Sequence, residues 1–270
     1  MNFFKVLKAT FIKDIKNYRT YKFSLVGESI LSLIVIIFIF FASKTYEDSI
    51  SNYLSRYGNN YFMFLFTGAT LMLFISRTFS SLPQIVGSAQ SLGYFENLIQ
   101  VKSKFSYICI SSIFFPMIQA ILRVCLIYFC SLVLTENMIE PNNFLELCFL
   151  LIFSSIPLIG ISLIFVSVLI VYKKTNFLNS LFLMGCTIFS GIIYPISVMP
   201  SFMQQISYFF PTTYSIELIR SRILEQTPYS DLIMLLVIIS LISFLAILIG
   251  LFSLKRSIEI VKKNGTLSHF

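Results

Sequence analysis

Long apolar runs separated by short polar connections dominate the chain. A helix needs about 20 apolar residues to cross roughly 30 Å of hydrocarbon at 1.5 Å per residue. Six runs meet this length, so the pattern predicts an all-α integral membrane protein whose residues 1–270 form one transmembrane domain. The predicted spans are residues 24–42, 61–86, 105–134, 144–172, 177–196 and 231–254.

The first 22 residues show a different pattern, with apolar positions at helical spacing. Lys5, Lys8, Lys13, Lys16 and Arg19 fall opposite those positions on a helical wheel. This pattern predicts an amphipathic helix over residues 1–22 that lies along the membrane interface. The alternative is a basic, partly ordered tail that only enforces topology. The apolar side consists of Phe4, Leu7, Phe11, Ile15 and Tyr18.

The stretch between the fifth and sixth spans stays apolar although it contains three prolines. Proline lacks an N–H and disfavours a helical preceding residue, so the fifth span is expected to end near Pro195. Pro200 can open a short helix and Pro211 can end it. We predict a re-entrant segment over residues 198–211 that forms a gate element. Its residues are Pro195, Pro200, Phe202, Ile206 and Pro211.

A short extracellular helix is expected to follow the re-entrant segment. Glu217 and Arg220 lie one turn apart on that helix and are predicted to form a modest ion pair.

Charge decides the orientation. Of the 270 residues, 57% are hydrophobic, and the net charge is +8. With a cytoplasmic N-terminus, fourteen Lys and Arg lie in inside segments and four in outside segments. Both termini are therefore predicted to be cytoplasmic, in a multi-pass protein of the cell (plasma or inner) membrane. Anionic lipid accounts for the basic balance without nucleic acid.

Residues for catalysis or metal binding are scarce. No GxxxxGK[ST] phosphate loop occurs, and the single histidine, His269, is the penultimate residue. The five cysteines lie in apolar runs without CxxC spacing. We therefore expect no catalytic site, no metal site and no cofactor bound by this chain, which points to a protein other than an enzyme.

Polar side chains at membrane depth are the remaining candidates. Gln119 and Arg123 lie near the middle of the third span, where a charge needs a partner or water. They are candidates for the lining of a translocation path, and the alternative for Arg123 is a structural role, in which it pairs with a helix C-terminus or snorkels toward an interface. For Arg77, in the second span, a structural role is favoured. Glu28 and Glu146 lie near span ends, where interfacial roles are expected.

Three stretches together resemble the permeases of type-2 ABC exporters, with the drug and antibiotic efflux branch the most similar. In residues 89–111, the family pattern falls on Gln90, Gly93, Glu96, Leu98 and Ile99, while Tyr94 stands where threonine is usual. Residues 191–220 match the family's stretch between spans five and six. The ending IEIVKKNGTLSHF is similar to the family's short basic C-terminus.

The resemblance implies a dimer of six-span permeases, as a homodimer or a heterodimer, with two copies of a cytoplasmic ATP-binding subunit. ATP and Mg would bind to that subunit. Residues 91–104 would form a coupling helix that contacts it, and a helix lying on lipid headgroups is the alternative. The coupling residues would be Gly93, Tyr94, Phe95, Glu96, Leu98 and Ile99, with the four apolar ones forming an exposed patch.

The expected cargo is hydrophobic or amphipathic: a drug, an antibiotic or a lipid-like molecule. A polysaccharide or glycolipid exporter is the alternative within the family. An ion-coupled secondary transporter is less favoured, because the spans hold few acidic residues.

Overall fold

A computed structural model describes residues 3–20, 22–50, 60–101, 105–134, 141–172 and 176–263. Those residues form helices and turns, with no strand among them. A short 3-10 helix covers Ile196–Val198. The α-helices are α1 (Phe3–Thr20), α2 (Lys22–Ile50), α3 (Tyr61–Ser91), α4 (Phe95–Gln100), α5 (Phe105–Ser111), α6 (Phe114–Leu134), α7 (Pro141–Tyr172), α8 (Asn176–Phe189), α9 (Ser201–Ser207), α10 (Pro211–Ile223) and α11 (Tyr229–Lys263).

Five helical stretches in the described part of the chain are long and apolar enough to cross a membrane. They coincide with five of the six predicted spans, which supports a multi-pass membrane protein. The third stretch is interrupted between α5 and α6, where Pro116 has no N–H to donate to the carbonyl of Ser112. The stretches are Val26–Tyr46, Tyr61–Ser91, Phe105–Leu134, Asn143–Tyr172 and Tyr229–Lys263.

The run predicted as the fifth span, residues 177–196, forms a shorter helix than expected. Helix α8 has 14 residues, or about 21 Å, which is less than the hydrocarbon thickness. It stops at Phe189 because Gly191 adopts a left-handed conformation with φ of 77°, and because Pro195 follows. The sixth crossing therefore stays a prediction.

Helix α3 lies at the centre of the helix packing. Most of its side chains are buried, and α2, α6 and α7 pack against it. Helices α7 and α11 form the most extensive helix pair, and they cross closely at Gly160. A Cβ on Gly160 would lie 2.4 Å from the backbone carbon of Ala246. Small residues allow this close approach in membrane helices, where packing rather than the hydrophobic effect drives association.

Helix α1 packs along α5 and the start of α6. Val6 and Thr10 are buried, and the ring centroid of Phe11 lies 5.6 Å from that of Phe115. Phe4, which the helical wheel placed on the apolar side, is 81% exposed because the inward face begins one residue earlier, at Phe3. The position of α1 at a membrane interface stays a prediction.

Candidate functional site

A glycine with a left-handed backbone conformation determines where α4 lies after the end of α3. Gly93 has φ of 74°, a conformation that ends many helices. The backbone N–H of Tyr94 donates to the carbonyl of Ala89 at 3.0 Å, and this contact reverses the chain after α3. Helix α4 is thereby placed against the last turns of α3.

Helix α4 turns its apolar side inward. Phe95 is fully buried, and its ring packs edge to face on Phe105 at 6.0 Å between centroids. Leu98 and Ile99 pack, partly buried, against the same core. The expected exposed patch therefore needs a correction at Phe95, because the turn at Gly93 points this side chain into the protein.

Other apolar side chains remain exposed at this end. The exposed fraction is 74% for Leu92, 36% for Tyr94 and 44% for Val101. Glu96 accepts a hydrogen bond from Gln100 at 3.2 Å. Residues 102–104 of the predicted coupling helix lie outside the described residues, and contact with an ATP-binding subunit stays a prediction.

A second site consists of charged side chains from three helices. Glu28 of α2 forms ion pairs with Arg123 of α6 and with Arg77 of α3, whose Nη1 lies 3.5 Å from Glu28 Oε1. Arg77 Nη2 donates to Gln119 Oε1 at 2.7 Å. The structure thus brings both predicted path residues, Gln119 and Arg123, into one cluster.

The sequence did not predict that Glu28 and Arg77 join this cluster. The available signal was the rule that a charge at membrane depth needs an opposite charge nearby. The charged side chains are between 16% and 28% exposed, so part of the cluster faces outward. Two guanidinium groups against one carboxylate leave a net positive charge.

A buried arginine packs against the start of α3, at the end of that helix opposite to α4. Arg220 of α10 is 2% exposed. Its Nη1 donates to the carbonyl of Gly191 at 2.6 Å, and its Nη2 donates to the carbonyls of Ile192 and Phe64 at 2.9 and 3.1 Å. The guanidinium carbon also lies 3.4 Å from the centre of the Phe64 ring. Arg220 therefore ties the turn after α8 to α3.

Two glycines make this arrangement possible. A Cβ on Gly68 would lie 2.4 Å from the carbonyl oxygen of Ile192 and 3.2 Å from Arg220 Nη2. Gly191 supplies the left-handed backbone that presents its carbonyl to Arg220. The sequence prediction had Arg220 in a modest pair with Glu217 on an extracellular helix. The structure buries Arg220, because non-helical carbonyls need a donor inside the protein, and its pairing with Glu217 stays a prediction.

A cavity of about 420 Å³ lies beside this arginine. Its walls come from the turn after α8, from α9 and α10, and from Leu235 of α11. Both Glu217 and Arg220 line it, and so does Pro195. The structure thus brings the predicted ion-pair residues together with one predicted gate residue.

The other predicted gate residues lie around this cavity in the chain. Phe202 and Ile206 of α9 are 59% and 38% exposed. Pro200 precedes α9, and Pro211 begins α10. Short helices separated by prolines are present as expected, while re-entry into a membrane stays a prediction.

The comparison with known protein families now decides the class of the chain. The model of the ABC-2 type transporter family matches residues 1–224. The chain belongs to the ABC-2 type transporter family. No curated protein matched it. The matched range contains helices α1 to α10, and therefore the whole charge cluster, Arg220 and the turn at Gly93.

As an ABC-2 transporter, the chain is a membrane permease and not the ATP-binding component. The family implies that it works with an ATP-binding subunit. This agrees with the resemblance seen in the sequence and with the missing phosphate loop.

A further ion pair in this ABC-2 transporter connects α7 with the end of α10. Glu146 accepts hydrogen bonds from Arg222 Nε and from the hydroxyl of Tyr229, while Arg222 Nη1 donates to the carbonyl of Thr227 at 3.2 Å. The hydrogen bond from Arg222 to Glu146 raises the pKa of this guanidinium, against the lowering effect of burial. Arg222 therefore remains charged and holds the connection to α11 in place.

Proposed function

We propose that this chain is the permease subunit of an ATP-driven exporter of hydrophobic or amphipathic molecules, in the drug and antibiotic efflux branch. A separate subunit binds ATP and Mg and contacts the permease around α4. Two permease chains, identical or related, work with two ATP-binding subunits. The observation that carries the proposal is the group of apolar side chains exposed around α4.

Exposed apolar side chains in a polar connection mark an interface. Leu92, Tyr94 and Val101 surround α4, while Phe95 fixes that helix to the permease core. Force applied to the exposed side chains would pass through Phe95 to the ends of α3 and α5. This construction suits a contact that transmits movement from an ATP-binding subunit, and a helix lying on lipid headgroups needs no such anchor.

The charge cluster supports an amphipathic cargo. Glu28, Arg77 and Arg123 are partly exposed at membrane depth in an otherwise apolar environment. Such groups mark substrate paths in membrane proteins. A molecule with one polar group and an apolar body could meet the cluster and the apolar helices at the same time.

The experiment compares variants of α4 in the reconstituted complex with its ATP-binding subunit. We expect Tyr94→Glu to abolish transport-coupled ATP hydrolysis, because a charge replaces an apolar contact at the interface. Asn97→Glu is the matched control, since Asn97 is an exposed polar residue of α4, the helix that begins directly after Tyr94. Export and ATP hydrolysis are measured together.

Phe95 is unsuitable for this test because its replacement disturbs the permease core itself. Normal coupling in Tyr94→Glu, with protein folded as the wild type, would contradict the docking proposal. Equal loss in Tyr94→Glu and Asn97→Glu would also contradict it, since charge anywhere on α4 would then be sufficient.

A further inference from the structure

The cavity beside Arg220 has walls of two kinds. Ser197, Gln204, Tyr214 and Glu217 provide polar groups, and Ile196 and Leu235 provide apolar surface. Its volume of about 420 Å³ lies within the range of small-molecule sites. The question is which chemical group the polar wall would bind.

Three side-chain donors of the wall are already used within the protein. The amide nitrogen of Gln204 donates to the carbonyl of Met199 at 2.8 Å. The hydroxyl of Tyr214 donates to the carbonyl of Tyr208 at 3.1 Å, and the hydroxyl of Thr213 donates to the carbonyl of Ser207. The oxygens of all three side chains keep lone pairs for a ligand, and Gln204 keeps its second amide N–H.

The two charged groups of the wall, Arg220 and Glu217, are not equally accessible to a ligand. Three backbone carbonyls and the ring of Phe64 surround the Arg220 guanidinium, which is almost completely buried. Glu217 is partly exposed and lines the cavity. A carboxylate has about four lone-pair sites, so Glu217 can accept hydrogen bonds from a ligand in the cavity. The wall is therefore rich in acceptors and carries an accessible negative charge.

We propose that this cavity binds an organic ammonium ion that carries an apolar group. An ammonium group offers only donors and a positive charge, which complements Glu217 and the oxygens of Gln204 and Tyr214. The apolar group packs on Ile196 and Leu235. The site lies at the end of α3 opposite to α4, and its ligand binds there independently of ATP.

This inference concerns binding by the permease and does not rest on the proposed transport. Its test therefore uses the purified chain in detergent, without an ATP-binding subunit or ATP. The probe is benzylammonium, compared with benzyl alcohol and benzoate, which share the ring but are neutral or negative. Ligand-detected saturation-transfer NMR suits the weak binding of such small molecules.

We expect saturable binding of benzylammonium and at least about tenfold weaker binding of the alcohol and of benzoate, since hydrogen bonds to charged groups are the strong ones. Glu217→Gln should weaken benzylammonium binding about tenfold and leave benzyl alcohol unaffected. Asp231→Asn is the matched control, because it removes an exposed acid at the nearby start of α11. That variant should bind as the wild type does.

Leu235→Phe provides a second test that leaves every charge in place. The larger side chain fills part of the cavity, so benzylammonium binding should fall, and this result decides the matter if Glu217→Gln fails to fold. Equal binding of all three probes, or unchanged benzylammonium binding in folded Glu217→Gln or in Leu235→Phe, would overturn the proposal.

Discussion

Replacing Arg220 with methionine tests the contact between the turn after α8 and the start of α3. Methionine keeps an unbranched apolar stem but is shorter and has no donor, so the carbonyls of Gly191 and Ile192 lose their partner. Since neither carbonyl lies in a regular helix, the protein offers them no obvious replacement. We expect lower stability without a change in the helices far from this contact.

The magnitude follows from three hydrogen bonds and one ring contact. Hydrogen bonds inside membrane proteins contribute about 0.6 kcal/mol on average, with a maximum near 1.7 kcal/mol. Three of them contribute about 2 to 5 kcal/mol, and a desolvated cation over an aromatic ring adds about 2 kcal/mol. The desolvation of the guanidinium, which methionine avoids, offsets part of this sum. The net loss expected for Arg220→Met is about 3 kcal/mol.

The assay is reversible unfolding in mixed micelles, with helicity followed by circular dichroism as the fraction of denaturing detergent rises. Arg220→Lys should recover only a small part of the loss, because a single ammonium cannot reach three carbonyls and stack on a ring. Arg256→Met is the matched control, since the Arg256 side chain is 64% exposed and should change stability by less than about 0.5 kcal/mol. An Arg220→Met variant as stable as Arg256→Met would refute the reasoning.

Three further predictions use the same unfolding assay. Gly160→Leu should destabilise the protein by at least about 1 to 3 kcal/mol, because its side chain would overlap the backbone of α11; wild-type stability would show that the helices do not cross closely there. Glu28→Gln should cost about 1 to 3 kcal/mol by leaving two partly exposed arginines without their carboxylate. Adding Arg123→Gln should restore part of this loss, and additive losses would contradict the ion pair. Phe95→Ala should cost about 3 to 5 kcal/mol because the ring is fully buried, whereas Tyr94→Ala should cost less than about 1 kcal/mol; the reverse order would place the wrong side of α4 inside.

The length of apolar runs was sufficient to predict most membrane helices. Backbone groups in hydrocarbon must be satisfied within the chain, so a long apolar run has few alternatives to helix. The run at residues 177–196 was harder, because the non-helical carbonyls that follow the early end of α8 take their donors from a distant arginine. That dependence on Arg220 is a tertiary contact, and local sequence does not reveal it.

In the charge cluster and at α4, too, local sequence predicted one part of the arrangement and contacts between distant residues determined the other. The sequence indicated that Arg123 needs a partner, but the choice of Glu28 depends on how α2 and α6 pack. At α4, Tyr94 and Phe95 are both aromatic neighbours. Which of them faces the core depends on the left-handed turn at Gly93, and a six-residue helix is too short for hydrophobic periodicity to decide it.

The most direct test of the proposed function is transport into inverted membrane vesicles that contain the chain and its ATP-binding subunit. Uptake of a fluorescent amphipathic dye is measured with ATP after a protonophore has removed the proton gradient, and separately with an imposed proton or sodium gradient in the absence of ATP. The proposed function predicts uptake only with ATP, and its inhibition by vanadate and by Tyr94→Glu. Uptake driven by an ion gradient alone would contradict an ATP-driven exporter.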